Sequence, residues 1–172
     1  MQGTVNWLGG YGQAEYNYGN VTFYGMAGYS MIKYNYINHF RMAEDGSSEL
    51  SANTDWIGGG QVKGGFSYRF SPTVSAFANV GYVSKVPIFD AVINDRDGTI
   101  ADDPSNEKFT SYELGANYSS LNGKLRITPN VYYTTWNDRT NTRTIQLEDG
   151  SEGFVFLTGM SQTHYGFELE GE

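Results

Sequence analysis

Gln61-Val62-Lys63-Gly64-Gly65-Phe66-Ser67-Tyr68-Arg69-Phe70 decides the fold. Val62, Gly64, Phe66, Tyr68 and Phe70 fall on one side of an extended chain. Gln61, Lys63, Gly65, Ser67 and Arg69 fall on the other. That period-two alternation is the mark of a strand with two unlike faces. It recurs outward from this segment. Ser111–Ser119 sets Tyr112, Leu114, Ala116 and Tyr118 against Glu113 and Asn117. Lys124–Tyr133 sets Leu125, Ile127, Val131 and Tyr133 against Arg126, Thr128 and Asn130. Gln162–Glu170 sets Thr163, Tyr165, Phe167 and Leu169 against His164 and Glu168, and Val74–Tyr82 behaves alike. Two earlier strands, 4–17 and 21–36, alternate less cleanly because Gly and Tyr occupy both faces. Helical periodicity is nearly absent, so the chain reads as all-β and antiparallel.

The connections alternate as well. Tyr18-Gly19-Asn20, Ser71-Pro72-Thr73 and Ser120-Leu121-Asn122-Gly123 are tight, and their Gly, Asn and Pro residues are hairpin signals. The stretches 38–58, 87–108 and 138–160 are long and polar. Short turns at one end and long loops at the other is the pattern of an outer-membrane barrel, with periplasmic turns and extracellular loops. Strands of about 9–13 residues are long enough to cross a bilayer at the usual tilt. Within the third long stretch, Thr142–Leu147 and Gly153–Leu157 flank Glu148-Asp149-Gly150-Ser151-Glu152 and predict a hairpin rising above the membrane.

Composition agrees. The 172 residues include 14 Tyr, 10 Phe and 22 Gly, with 39% hydrophobic residues. A mean hydropathy of −0.47 is what strands with one lipid face and one wet face average to. No apolar run approaches the ~18 residues of a membrane helix. The net charge of −8 argues against a nucleic-acid partner. Cysteine is absent. Lys63, Arg69, Lys85, Glu113, Lys124, Arg126, His164 and Glu168 all fall on the polar face, where charge is cheap; on a lipid face it costs about 2–4 kcal/mol at the midplane. Tyr16, Tyr18, Phe23, Tyr68, Phe70 and Tyr118 flank the tight turns, and Tyr34, Tyr36, Tyr82, Tyr133 and Trp136 lie near the long loops, as aromatic girdles would.

About seven long strands are counted, whereas single-chain bacterial barrels are even-numbered with at least eight. Seven strands leave two edges that lipid does not tolerate. The opening Met1–Asn6 has no export signal. The sequence is therefore expected to be a segment of a larger barrel.

Specific residues carry a resemblance. Asn106-Glu107-Lys108-Phe109-Thr110-Ser111-Tyr112-Glu113-Leu114-Gly115-Ala116-Asn117-Tyr118 resembles a recurrent strand of TonB-dependent outer-membrane receptors. Val86-Pro87-Ile88-Phe89-Asp90 resembles the segment entering the loop before it, and Asn130–Arg139 the strand after it. Gly166-Phe167-Glu168-Leu169-Glu170 resembles the family's G-x-E-L-E strand, and Tyr11–Tyr16 another of its barrel strands. The style is that of Bacteroidetes-type receptors. The resemblance implies an antiparallel transmembrane β-barrel segment: about seven long strands of a 22-stranded barrel with a plug in its lumen. It implies an outer-membrane location and energy-coupled uptake of an iron chelate, vitamin or oligosaccharide. It also implies three partners: outer-membrane lipid, and a plug domain and a TonB-type coupler that the rest of the polypeptide would engage. No energy-coupling box, plug or closing C-terminal aromatic strand is legible in these residues.

Family receptors bind substrate with plug and loop residues. The resemblance therefore nominates Asp95, Asp97, Asp102 and Asp103 in the second long loop, and Trp136 and Arg139 beside the third. Asp95-Arg96-Asp97-Gly98 echoes a calcium loop, but the pattern's first and twelfth positions would be Ile93 and Pro104, which offer no side-chain oxygen. An acidic, solvated Asp-Gly turn accounts for it. His39 and His164 are isolated and make neither a metal site nor a triad. Gly58-Gly59-Gly60 is followed by a strand and no Lys-Ser/Thr, so it is no phosphate loop. No enzyme, metal or cofactor is expected. The competing readings are a passive porin-like or structural barrel and a soluble all-β binding domain.

Overall fold

The computed structural model describes the backbone of residues 1–43, 46, 49–95, 98–101, 104–146 and 152–172, and the side chains of these residues except 140–145, 152–156 and 158. Eight strands form one antiparallel sheet. They are β1 (Gln2–Tyr18), β2 (Val21–Met42), β3 (Glu49–Asn53), β4 (Ile57–Arg69), β5 (Val74–Lys85), β6 (Glu107–Ser119), β7 (Arg126–Gln146) and β8 (Glu152–Gly171). The order across the sheet is β1-β2-β4-β5-β6-β7-β8, and β3 pairs with β2. Every long strand thus lies beside its sequence neighbour, as in a meander.

The turns form for local reasons. Gly19-Asn20 joins β1 to β2 in two residues, with Gly19 at φ 59. A positive φ at the first central position fits the right-handed twist of a hairpin, and only Gly adopts it freely. At the next turn Ser71 Oγ accepts from the amides of Thr73 (3.2 Å) and Val74 (3.1 Å). At the third, Asn122 Oδ1 accepts from the Lys124 amide at 3.1 Å, and Ser120 Oγ from the Leu125 amide at 3.1 Å. Side-chain oxygens replace ladder partners that a tight reversal cannot provide.

The register fixes the two faces. Tyr16 opposes Phe23, Phe23 opposes Phe66, Phe66 opposes Ala78, and Ala78 opposes Leu114. Leu114 opposes Val131, which opposes Phe167. Directly opposed residues share a face, so one apolar surface runs unbroken across all seven long strands. Over Val21–Met31, Gly58–Tyr68, Thr110–Tyr118 and Thr163–Gly171 the residues on this surface include no charged side chain. Charges on the same parity first appear beyond it, at Lys33 and Lys108. Eleven residues at ~3.3 Å each, tilted by about 45°, span roughly the 25 Å of a barrel's apolar band.

The sheet is one layer thick. Val62 is 60% exposed, Leu114 59% and Phe167 64%. Among the described residues no second layer of protein covers this face.

The described residues do contain one compact core, and it lies at the loop end. Tyr34, Tyr36, Ala52, Val92 and Ile93 are buried together, with Ile32, Ile57 and Phe89 packed against them. Burying Val92 and Ile93 fully contributes about 1.5–3 kcal/mol each. Two expectations change here. The stretch 38–58 is not simply a loop, because β2 continues to Met42 and β3 pairs with its extension (Tyr36 opposes Ala52, Asn38 opposes Leu50). The pairing expected between Thr142–Leu147 and Gly153–Leu157 is present, with Thr142 opposite Phe156 and Gln146 opposite Glu152; Leu147 lies outside the described residues. Tyr34, Tyr36 and Trp136 do not join an outward girdle. The β1–β2 register runs without a shift from Tyr18/Val21 to Gln2/Ile37, so even-numbered β2 residues stay on the polar face. Trp136 opposes Phe109, which opposes Val83, on that face too.

Candidate functional site

The polar face is a hydrogen-bonded wall. Tyr24 Oη donates to Asn79 Oδ1 at 2.8 Å, and Asn79 Nδ2 donates to Glu113 Oε2 at 2.9 Å. The other oxygen of Glu113 accepts from Asn130 Nδ2 at 3.2 Å. Four side chains from β2, β5, β6 and β7 are thereby linked across the sheet. The link passes over β4 at Gly65, where a Cβ would meet Asn79 Oδ1, the Ala78 carbonyl at 2.5 Å and Tyr24 Cε1 at 2.8 Å. Only a residue without a side chain lets Tyr24 reach Asn79. A second link, Thr128 Oγ1 to Asn117 Oδ1 at 3.1 Å, lies closer to the tight turns.

Towards the long loops the wall becomes aromatic and cationic. Phe109 and Trp136 stack with centroids 4.7 Å apart and an interplanar angle of 28°. The Arg139 guanidinium lies 4.3 Å from the Trp136 ring centroid and donates to Gln162 Oε1 at 3.0 Å. Arg139 reaches this position because the register shifts on either side of it. Asp138, at φ 56, makes the bend; Asp is among the residues that tolerate the left-handed region. Its carboxylate holds Lys108 Nζ at 2.7 Å, a lysine on the parity of the apolar face just beyond the charge-free band. That bond, with the accompanying charge attraction, raises the Lys108 pKa above its ordinary value and keeps it cationic. Lys85 and Glu107 pair at 3.1 Å on the neighbouring strands. A hollow of about 460 Å³ opens on the same face, lined by Trp7, Tyr11, Ser30, Gln61, Lys85 and Val86.

The nominated residues are thus distributed unequally. Trp136 and Arg139 are brought into direct contact. Trp136 is committed on its ring face to Phe109 and Arg139, and its Nε1 is buried with no partner among the described residues. Asp95 is exposed, and its backbone carbonyl accepts from Tyr36 Oη at 2.7 Å. It sits on β2, four strand positions from β7. Asp97, Asp102 and Asp103 lie outside the described residues. Among the described residues no group of three or more His, Asp or Glu is placed to hold a metal ion. Among the described residues no helix is long and apolar enough to cross a membrane, which says nothing of a barrel.

Phe109, Gln162, Tyr11 and Trp7 were not singled out from sequence. Phe109 was within reach: Tyr118 opposes Ile127, and counting away from that turn places Phe109 opposite Trp136. Gln162 follows from the next register in the same way.

Comparison with known proteins bears on the whole chain. Residues 2–172 match the family model described as TonB dependent receptor-like, beta-barrel. No curated protein matches the sequence. Among solved structures, the ferric-catecholate import receptor Fiu of E. coli in its closed form superposes with a TM-score of 0.65 at 14% identity, over 98% of this chain and 25% of that one. The copper transporter OprC superposes with a TM-score of 0.66 at 16% identity, over 98% of this chain and 26% of that one. The chain therefore spans about a quarter of the length of these structures, and at such identity the likeness concerns the fold. With its single-layer sheet, its unlike faces and a family match over residues 2–172, the chain belongs to the TonB-dependent receptor-like β-barrel family.

Proposed function

We propose that this chain forms part of the wall and mouth of an outer-membrane receptor that imports a scarce nutrient by energy-coupled uptake. The observation that carries the proposal is the pairing of a charge-free apolar face with a hydrogen-bonded polar face across seven strands. An aqueous lumen on one side and lipid on the other asks for that division. The tight turns near 18–20, 71–73 and 120–123 then face the periplasm, and the stretches 38–58, 87–108 and 138–160 face outside. The parent barrel has 22 strands around a plug, and a TonB-type coupler drives it. The substrate class is an iron chelate, vitamin or oligosaccharide; the import of ferric catecholate and of copper belongs to the two solved relatives.

Of the nominated residues, Arg139 presents the feature most suited to a ligand, a guanidinium oriented by Trp136 and Gln162 on the polar face. The exposed Asp95 lies on the segment packed against β2, four strand positions away along the same wall, and Asp97, Asp102 and Asp103 complete the set.

The experiment is growth of a strain lacking the gene on limiting iron chelates, a cobalamin or an oligosaccharide as sole source. The expected result is a defect with one nutrient class, restored by the wild-type gene and poorly by Arg139→Ala. Uptake that survives a protonophore would identify a passive pore and contradict the coupled reading.

A further inference from the structure

The segment after β5 does not project away from the barrel. It folds back over the polar face of the β2 extension. Phe89 packs edge-on against Tyr34 (centroids 5.6 Å, 84°) and against Tyr36 (5.9 Å). Val92 and Ile93 are each 2% exposed. Tyr34 Oη donates to the Pro87 carbonyl at 2.9 Å, and Tyr36 Oη to the Asp95 carbonyl at 2.7 Å. Asn38, itself buried, donates to Tyr36 Oη at 3.1 Å and so fixes which way that hydroxyl points. The segment is closed on itself by Ala101 N to Val92 O and Asn94 N to Thr99 O, both 2.9 Å, and Gly98 lies against Leu50 of β3. Its far end is fastened by Asn106, whose amide donates to the Gly58 carbonyl and to Ser84 Oγ, both at 2.8 Å.

We infer that Pro87–Asp95 is a fixed shelf of the barrel wall, held on β2 by Tyr34 and Tyr36, and that it narrows one sector of the lumen mouth permanently. A gating loop requires few buried apolar contacts and exposed backbone hydrogen bonds. This segment has the opposite: two wholly buried aliphatic side chains, two tyrosine hydroxyls spent on its carbonyls, and anchors at both ends. Burial also raises the Tyr34 pKa, which keeps its hydroxyl a donor. A ligand passing this sector meets a preformed surface, so its size is selected there before any loop moves. Which side of the sheet is the lumen rests on the receptor reading above; the docking itself does not.

The chain has no cysteine, so thiols placed in it report cleanly. Ala52 lies beneath the shelf, and Ser51 beside it points to the other face and is exposed. The experiment measures labelling of Ala52→Cys and Ser51→Cys by a membrane-impermeant maleimide, in the intact receptor on whole cells. Position 52 is expected to react at least ~100-fold more slowly than position 51, as for a site reached only by local opening. The rate is expected to be the same in respiring and protonophore-treated cells. Tyr34→Phe with Tyr36→Phe, which keeps the rings and removes both hydrogen bonds, is expected to speed position 52 about tenfold. Labelling of 52 within tenfold of 51, faster labelling in respiring cells, or no response to the paired Phe variant would each overturn the shelf. Silence of position 51 on cells with labelling after lysis would instead overturn the outward orientation, and the ratio measured after lysis would still decide the docking.

Discussion

At the scale of single residues, the wall depends on close approach as much as on polar chemistry. Tyr24 reaches Asn79 only because nothing projects from Gly65 between them. Gly65→Ala would drive a methyl into the Ala78 carbonyl, which cannot move without breaking the ladder; overpacking of this kind costs about 1–3 kcal/mol. Gly12 offers a control on the other face of β1, since a Cβ there meets nothing within 4 Å. The expected outcome is a clear drop in the thermal unfolding midpoint of the receptor for Gly65→Ala and little change for Gly12→Ala. Equal shifts would show that the Tyr24–Asn79–Glu113–Asn130 chain does not constrain the sheet. Residue identity alone says little about this. Gly64 and Gly65 are neighbours in sequence, yet only Gly65 lies on the face where Tyr24 crosses.

At the scale of elements, parity governs what was legible. Gln61–Phe70 alternates so cleanly that its two faces follow from the sequence, and the Ser71-Pro72-Thr73 turn placed β5 beside it. Strand β3 was missed because Glu49–Asn53 is short and polar; its Leu50 and Ala52 earn their burial only by lying beside Asn38 and Tyr36. Tyr34, Tyr36 and Trp136 were assigned to a girdle from their closeness to loops, but a girdle needs the outward parity, and all three have the other. Trp136 and Arg139 were legible as neighbours in the chain, whereas their contact was not, because it depends on the bend at Asp138. Strand β6 provides the test of parity. Leu114 sits mid-strand on the apolar face and Ser111 three residues away on the polar face. Leu114→Arg is expected to destabilise the folded barrel by about 2–4 kcal/mol, and Ser111→Arg by far less. Heat-modifiable migration on gels, read at a series of temperatures, measures the difference. A penalty at Ser111 as large as at Leu114 would mean that the two faces are not lipid and lumen.

At the scale of the whole molecule, two kinds of stability are combined. The long strands have backbone ladders and no protein core among the described residues; residues that meet on their apolar face, such as Phe23 and Phe66 or Ala78 and Leu114, are far apart in sequence, and the face becomes continuous only through register. The loop end has a true core, built from β2, β3 and Pro87–Asp95. The first needs a membrane to be buried, and the second does not. That division gives the loop end a defined shape that does not depend on what covers the apolar face. The central claim is that the face bearing Tyr112, Leu114 and Ala116 lies in lipid while that bearing Glu113, Gly115 and Asn117 does not. Nitroxide labels placed one at a time from Tyr112 to Asn117 in the membrane-embedded receptor test it most directly, through their relative accessibility to oxygen and to a water-soluble nickel complex. The account predicts alternation with a period of two, oxygen dominating at 112, 114 and 116. Accessibility that does not alternate, or nickel dominating at 114, would contradict it.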